Sequence, residues 1–595
     1  MSHSDISNAG VAALLYETAE LLELSSENQF RIRAYQKAAR IIDGLGKNAA
    51  AMSREELLAV NGIGKGIAAH ISAIKETGAF PELEELRKKF PPGLREMLKV
   101  EGIGAKRARL LYEKLGVDSP AKLRAAARSG EIEKIEGLGE KLQENILAGS
   151  ACLPAGRERV HGAPARMLYW PALKLAGELI KELSLLGFER AAYAGSLRRG
   201  RETVGDIDLL AAGRPDGSAT GRFAKLEQVE RVLALGPAKA SVRLKAGIQC
   251  DFRIVPGGVY GAALNYFTGS KEHNIVLREL ARKKGLSLSE YGLCRLSDAE
   301  QKYPLAAKTE QEIYEALGLQ FIPPELREGA GEVELASKKL VPELVTLADI
   351  KGDAHNHTDF SDGQNSMEEM VRAAAECGFS WYFAGDHSKP LGVVHGLDFK
   401  EYSSTRDELS ALASRFPALK LGRSIEMEIL KDGSFGFTDK EAAGTELVIG
   451  AVHSSFKLAE TAMTERMLKA MQNPYLDAVA HPSGRLIGRR DPAGALDYPR
   501  LFQAAARTGT AFEINGQPDR QDLTDLTARM AGEAGVKILL STDAHSAGQL
   551  AYMSIAVTVA RRAGLTRKDL LNSLSYGDFC EWIRERRSRA LKGSR

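Results

Sequence analysis

The chain has 595 residues, 44% hydrophobic and 27% charged, with 81 Lys and Arg against 78 Asp and Glu. That length exceeds one ordinary core and points to about three or four domains. The net charge of only +3 excludes a uniformly basic nucleic-acid coat, and no stretch reads as a membrane span or a secretory leader. The five cysteines (Cys152, Cys250, Cys294, Cys377, Cys580) are scattered without a CxxC pair, which fits a reducing cytoplasm and argues against a zinc ribbon. Charge is unevenly spread. Arg87 to Arg128 holds twelve Lys/Arg against four Asp/Glu, and the tail Arg584 to Arg595 is basic. Such patches suit a local grip on phosphates, although a solvated helix face explains either one taken alone. Seven of the eleven histidines fall between His355 and His545, a compositional hint of a metal site.

Residues 1 to about 150 read as helical, beginning with an amphipathic helix with an acidic face. Three near-repeats follow: VNGIGKGIAAHI (60–71), VEGIGAKRARLL (100–111) and IEGLGEKLQENI (135–146). In each, two glycines (Gly62 and Gly64, Gly102 and Gly104, Gly137 and Gly139) permit a tight turn before an amphipathic helix with free N–H groups. Such a turn binds a backbone phosphate without reading bases. The second copy adds Lys106, Arg107 and Arg109. The units resemble helix-hairpin-helix motifs. The first also resembles the lyase domain of family X DNA polymerases, through Asn28, Phe30, Arg31, Ala34 and Tyr35. His70 stands where the resemblance implies a Schiff-base lysine. Imidazole forms such adducts poorly, so DNA binding without lyase chemistry is expected here.

After a linker at Pro154-Ala155-Gly156, a helix is expected over Trp170 to Leu186. Then comes GSLRRGRETVGDIDLL (195–210). In a strand, Asp206 and Asp208 project from one face while Ile207 and Leu209 turn to the other. Two like charges on one face suggest a divalent cation, since Mg²⁺ takes hard oxygen ligands and bridges carboxylates to phosphate. Alone, the pair also fits a solvated edge strand. Gly195-Ser196 and Arg198-Arg199 favour a triphosphate site. In the strand IQCDFRIV (248–255), Asp251 is a candidate third ligand. In YFTGSKEHNIVLR (266–278), a turn at Gly269-Ser270 precedes a helix. Tyr266 and Phe267 could press on a sugar, and Asn274 could bond base or sugar.

GSxRRG…GDID, the later Asp251 and YFTGSxxxN resemble the palm and thumb of family X DNA polymerases. The resemblance runs from residue 1 to about 330. It implies that Asp206, Asp208 and Asp251 hold two ions, Mg²⁺ or Mn²⁺. It implies that Ser196 and Arg199 contact the triphosphate, and that Tyr266, Phe267 and Gly269 bound the nucleotide. Asn274 and Arg278 would sit against the nascent pair and template. The implied chemistry is in-line attack of a primer 3′-hydroxyl on the α-phosphate of a dNTP.

From about 345 to 585, short apolar strands (WYFAG, LVIGAVH, LDAVAH, TAFEIN, KILLST) alternate with helical runs, which suggests parallel β/α units. At strand ends lie His355, His357, Asp362, Asp386-His387, Glu426, His453, His481, Asp543 and His545. Any one of these histidines fits a core or surface role. As a set, each after an apolar segment, they point to a metal cluster. The pattern resembles the PHP family (polymerase and histidinol phosphatase), a distorted β/α barrel. The resemblance implies up to three Mn²⁺ or Zn²⁺ ions and 3′–5′ exonuclease activity, with AP endonuclease and 3′-phosphatase activities also known in the group. Gly385 departs from the more usual threonine before Asp-His. Arg485, Arg489 and Arg490 could steer DNA or form a solvated loop.

The expected architecture is multidomain α and α/β. It comprises a lyase-like helical DNA-binding domain (1–85), helix-hairpin-helix fingers (86–155), a nucleotidyltransferase palm (156–262) and a thumb (263–330). A linker (331–350) and a PHP phosphoesterase (351–585) complete it. The expected protein is a monomeric, cytoplasmic repair polymerase, nucleoid-associated when bound to gapped or nicked DNA, that fills short gaps and trims 3′ ends. Two rival readings are a 3′-end-processing nuclease with polymerisation secondary and a non-catalytic DNA-end-binding scaffold. A tRNA-tailing nucleotidyltransferase would share GS…DxD but would leave the hairpins and YFTGS unexplained.

Overall fold

The computed structural model describes residues 6, 8–43, 48–60, 62–98, 103–135, 138, 146, 166–298, 304–389, 395–490 and 496–593. The chain divides into two compact units, residues 1–164 and 165–595. The first unit is helical around one apolar core. Its hairpin glycines have a common geometry. Gly64 caps the helix Lys65–Thr77 with φ −86° and ψ 169°, and Gly104 caps Ala105–Leu115 with φ −87° and ψ 173°. Neither helix start has a side-chain cap, so its first N–H groups point outward for an acceptor.

The second unit begins with a five-stranded palm sheet. Its order is Ala191–Tyr193, Asp206–Ala212, Gln249–Val255, Lys239–Leu244, Val229–Leu235. Alternation places Ile207, Leu209, Cys250, Phe252 and Ile254 in one core under the helix Tyr169–Leu185, as the period-two pattern predicts. Leu210, on the opposite face, packs under the helix Tyr260–Thr268. The thumb follows from Lys271–Lys283 onward. The expected linker is in fact packed: the helix Glu332–Ser337 buries Val333 and Ala336 in the thumb core, and Glu332 accepts from His273 Nδ1 at 2.7 Å. Its polar composition hid a few apolar anchors.

Seven parallel strands form the last sheet, in chain order: Gly352–Asp353, Trp381–Ala384, Lys420–Glu428, Leu447–Ala451, Ala478–Val479, Ala511–Asn515 and Ile538–Ser541. Just past its ends the sheet nearly closes on itself. His357 N donates to Ala544 O at 2.8 Å, and Asp543 N to His355 O at 2.9 Å. Both faces are apolar, because helices cover one and the C-terminal helix Tyr576–Gly593 packs Phe579 and Ile583 against the other. This explains the unbroken apolar runs in the sequence. The basic tail is partly consumed in holding that helix, since Arg586 and Arg587 both pair with Asp477. No described helix is long and apolar enough to cross a membrane.

Candidate active sites

In the palm, the parallel register sets Asp208 opposite Asp251 and Asp206 opposite Gln249, so all three carboxylates line one face. Gly195 makes the approach to them possible. It lies at φ +62°, and a Cβ there would stand 2.5 Å from Asp208 Oδ2. Burial and the neighbouring Asp206 and Asp251 push Asp208 up to about 6, and burial with Asp251 raises Asp206. Burial also opposes the charge on Asp251. Lys239 Nζ at 2.6 Å, with Gln249 and Ser241, outweighs it and holds that carboxyl below its usual range. Crowded carboxylates, two of them with raised proton affinity, suit divalent ions bound through oxygen.

The residues expected around a nucleotide are close by. Arg199 Nε donates to Glu328 Oε1 at 3.1 Å and its NH1 to Thr268 O at 2.5 Å, beside Gly269. Arg198 instead forks onto Glu310 at 2.9 and 2.6 Å, a structural pair also bound by buried Arg327 at 2.5 Å. Ser196 is half-buried on the turn that carries these arginines. Tyr266 and Phe267 meet edge to face at 5.2 Å, and Asn274 Nδ2 donates to Tyr266 O at 2.8 Å. Arg278 is exposed on the thumb helix.

The PHP candidates converge more tightly. Each lies at or just past the C-terminal end of a barrel strand, apart from Asp362 on the loop after the first. Near-closure of the barrel joins the His355-His357 and Asp543-His545 segments through a bridge at Asn356 and Ala544. Glu426 is the hub. Its Oε2 lies 2.7, 3.4 and 3.5 Å from His387, His355 and His357, and its Oε1 2.9 and 3.2 Å from His481 and His453. Four overlapping groups could hold an ion: His357, Asp362, His387 and His545; His355, His481 and Asp543; His355, His357 and Glu426; His387, Glu426 and His453. Together they include all nine ligands expected from the sequence. Among the described residues, buried His357 Nδ1 and His481 Nδ1 have no hydrogen-bond partner, which leaves both nitrogens available as ligand atoms. The backbone is strained there: His481 and Asp543 take φ values of +23° and +50°.

Electrostatics agree. Burial disfavours charge on His387 and His453, but Glu426 and further carboxylates (Asp362 and Glu428 respectively) outweigh it and push them up to about 10 and about 9. Burial, with His387 and His545 beside it, pushes His357 down to about 3. Asp362 is held well below the carboxylate range by His387 and His545, although burial opposes this.

The sequence reading missed the residues that orient these ligands. Glu513 accepts from His355 Nδ1 at 2.5 Å and from His481 N at 2.7 Å; Glu428 accepts from His453 Nδ1 at 2.7 Å. A lone Glu inside the apolar strand TAFEIN carried that signal, much as Asp251 did in its own strand. Asp386 points away from the cluster and accepts from Thr358, Ser361 and Arg423. Gly385 is explained by space: a Cβ there would lie 2.4 Å from Asn356 O and 2.8 Å from Ser424 Oγ. Arg485 is committed to Glu202 and to the carbonyls of Arg520 and Gln521, so it belongs to the scaffold; Arg490 stacks on Phe456 at 4.2 Å and Arg489 is exposed.

In the helical unit, Gly62 (φ +99°) packs against Ile41 and Lys37, whereas a Cβ at Gly64 or Gly104 would meet nothing within 4 Å. The last two glycines thus face open space, where a phosphate backbone could approach. Lys106 and Arg107 are exposed on the second hairpin helix. Gly102, Gly137 and Gly139 lie outside the described residues. His70 stacks on Phe80 at 4.2 Å, and Tyr35 Oη lies 2.9 Å from its Nδ1 and 2.7 Å from Glu82.

Comparison with known proteins finds relatives for several parts of the chain. Family models match a helix-hairpin-helix domain (6–80), a SAM-like helix-hairpin-helix tandem (94–149), the DNA polymerase beta thumb (263–328) and the PHP domain (353–553). DNA polymerase lambda of Rattus norvegicus is 25% identical over 51% of the chain and 53% of its own length. A probable phosphatase of Thermoanaerobacter sp. (strain X514) is 25% identical over 40% of the chain and 95% of its own. The DNA polymerase/3′-5′ exonuclease PolX of Bacillus subtilis (strain 168) is 36% identical over 96% of the chain and 98% of its own length. By that identity over nearly the full length of both chains, the chain belongs to the PolX family of DNA polymerases with 3′–5′ exonuclease activity.

Proposed function

We propose that the protein fills short gaps in damaged DNA at the palm and trims 3′ ends at the PHP centre. The observation that carries this is the presence, in one chain, of two ion-ready sets of different donor chemistry, each on the domain of its kind. The palm offers only oxygen, which suits Mg²⁺ or Mn²⁺. The PHP cluster mixes six imidazoles with three carboxylates, which suits Mn²⁺ or Zn²⁺, up to three ions. When bound, these ions supply Lewis acidity and neutralise the charge that develops on phosphoryl oxygens.

The chain's own groups do the rest. Asp206, Asp208 and Asp251 would hold the palm ions, and Asp251 would take the proton of the primer 3′-hydroxyl. Ser196 and Arg199 bind the triphosphate. Tyr266, Phe267 and the Gly269 turn bound the sugar, while Asn274 and Arg278 hold the nascent pair and template. In the barrel, Glu426 and Asp543 would hold the ions, and Glu513 and Glu428 fix the tautomers of His355 and His453. The hairpins at Gly62 and Gly64, at Gly102 and Gly104 with Lys106 and Arg107, and at Gly137 and Gly139 grip the backbone of gapped or nicked DNA without base readout. The protein acts as a monomer on DNA in the cytoplasm.

The test is a gapped duplex with dNTPs and Mg²⁺ or Mn²⁺, given to Asp206→Ala and His355→Ala. The first should lose extension and keep degradation; the second should do the reverse. Extension by Asp206→Ala would overturn the palm assignment.

A further inference from the structure

The turn that carries Arg199 is built against the PHP domain. Gly200 (φ +66°) brings it so close to the helix Met553–Ala563 that a Cβ there would lie 2.3 Å from Thr558 Cγ2. On the same helix, Ile555 is buried in the palm core, and Tyr552, at its cap, meets Trp170 edge to face at 5.4 Å. Buried Arg562 ends the contact. Its NH1 donates to the Arg199 carbonyl at 2.7 Å and to Glu328 Oε1 at 3.0 Å, and its NH2 to Asp525 at 2.5 Å. Glu328 Oε1 is the same atom that accepts from Arg199 Nε.

We propose that Arg562, a residue of the PHP domain, is a positioning residue for DNA synthesis: through Glu328 it fixes the Arg199 guanidinium that meets the incoming triphosphate. This rests on the reading of Arg199 as a triphosphate ligand. An arginine side chain has many rotamers, and ordering it on binding weakens affinity. Here two of the three guanidinium nitrogens are already tied, Nε to Glu328 and NH1 to Thr268 O, which leaves NH2 to face a phosphate. Glu328 can hold Nε only while its own position is fixed. Arg562 fixes it, with Asp525 tethering Arg562 from the barrel side. Lysine could not make these three bonds in fixed directions.

The experiment uses the full chain on a gapped duplex and measures kcat and KM for dNTP, the Ki of pyrophosphate, and exonuclease rate. Variants are Arg562→Ala, Arg562→Lys, Glu328→Ala, Glu328→Gln, the double Arg562→Ala/Glu328→Ala, and Arg199→Ala as calibrator. Arg562→Ala should raise KM for dNTP and Ki for pyrophosphate together by about 3- to 10-fold, with kcat and exonuclease rate within about 2-fold. Arg562→Lys should not rescue, and the double variant should be no worse than Glu328→Ala. If Arg199→Ala raises KM but Arg562→Ala does not, the relay is overturned and the Arg199 reading stands. If Arg199→Ala leaves KM unchanged, the Arg199 reading falls and takes the relay with it. Additive effects in the double variant, or parallel loss of kcat and exonuclease rate, would also overturn it. Should Arg562→Ala not fold, Glu328→Ala decides, because an unchanged KM there contradicts the relay.

Discussion

The candidate palm and PHP centres present ligand atoms for divalent ions in two different ways. The palm sets three candidate carboxylates on one sheet face, and one of them, Asp251, is buried and paired with Lys239. The PHP centre buries its ligands around Glu426, and further carboxylates hold the imidazoles in place. If the proposed function holds, the palm would complete its geometry with ion and nucleotide, whereas the barrel, with its ligands already held by further carboxylates, would keep its ions between turnovers.

The largest expected effect that would sharpen this contrast is at Asp208. Asp208→Asn should lower extension by about 10³-fold or more while exonuclease rate stays within about 2-fold, measured on one labelled primer. Next is Glu513→Gln. Losing the acceptor that orients His355 should weaken ion affinity at the PHP centre by about 10- to 100-fold, read by titrating Mn²⁺ into the metal-free protein, with no change in extension. Equal damage to both activities would remove the distinction.

The two centres should also separate by pH. With His387 and His453 raised to about 10 and about 9, the metal-free cluster holds protons at neutral pH that an ion must displace. Its ion affinity should therefore keep rising as pH increases toward 9, by up to about tenfold per unit for each proton released. At the palm, Asp208 is raised only to about 6, so Mg²⁺ affinity should be flat above about pH 7 and fall below 6. Half-saturating ion concentrations for degradation and extension, followed from pH 5.5 to 9.5, check both; parallel profiles would contradict the account. The smallest effect is on stability. Gly385→Thr forces a side chain against Asn356 O and should cost about 1–3 kcal/mol, seen as a lower Tm.

The candidate ligands that the fold brings together were legible in the sequence because metal chemistry favours their residue types at strand ends: HxH, DH, DxH, and DxD with one later Asp. The palm strands were legible from alternation, and the barrel from repeated apolar runs. What escaped were features set by packing. Glu513 and Glu428 carry no spacing signal, because their partners lie on other strands. The strand Lys420–Glu428 was hidden by its charged residues, among them Arg423, buried against Asp386. The helix Glu332–Ser337 resembled a linker because only a few of its residues face the thumb core. The Arg562–Glu328–Arg199 connection spans three separate segments and exists only in the folded unit.

The central claim is that one chain holds two chemically distinct ion centres with opposed reactions at a 3′ end. Its most direct test is elemental analysis of ions retained after exhaustive dialysis from Mn²⁺, comparing the intact protein with Asp206→Ala/Asp208→Ala and with His355→Ala/His357→Ala. The account predicts that the palm variant retains the full complement of tightly held ions and still degrades DNA, while the barrel variant loses them and still extends primers in Mg²⁺. Loss of the retained ions from the palm variant, or their retention by the barrel variant, would contradict it.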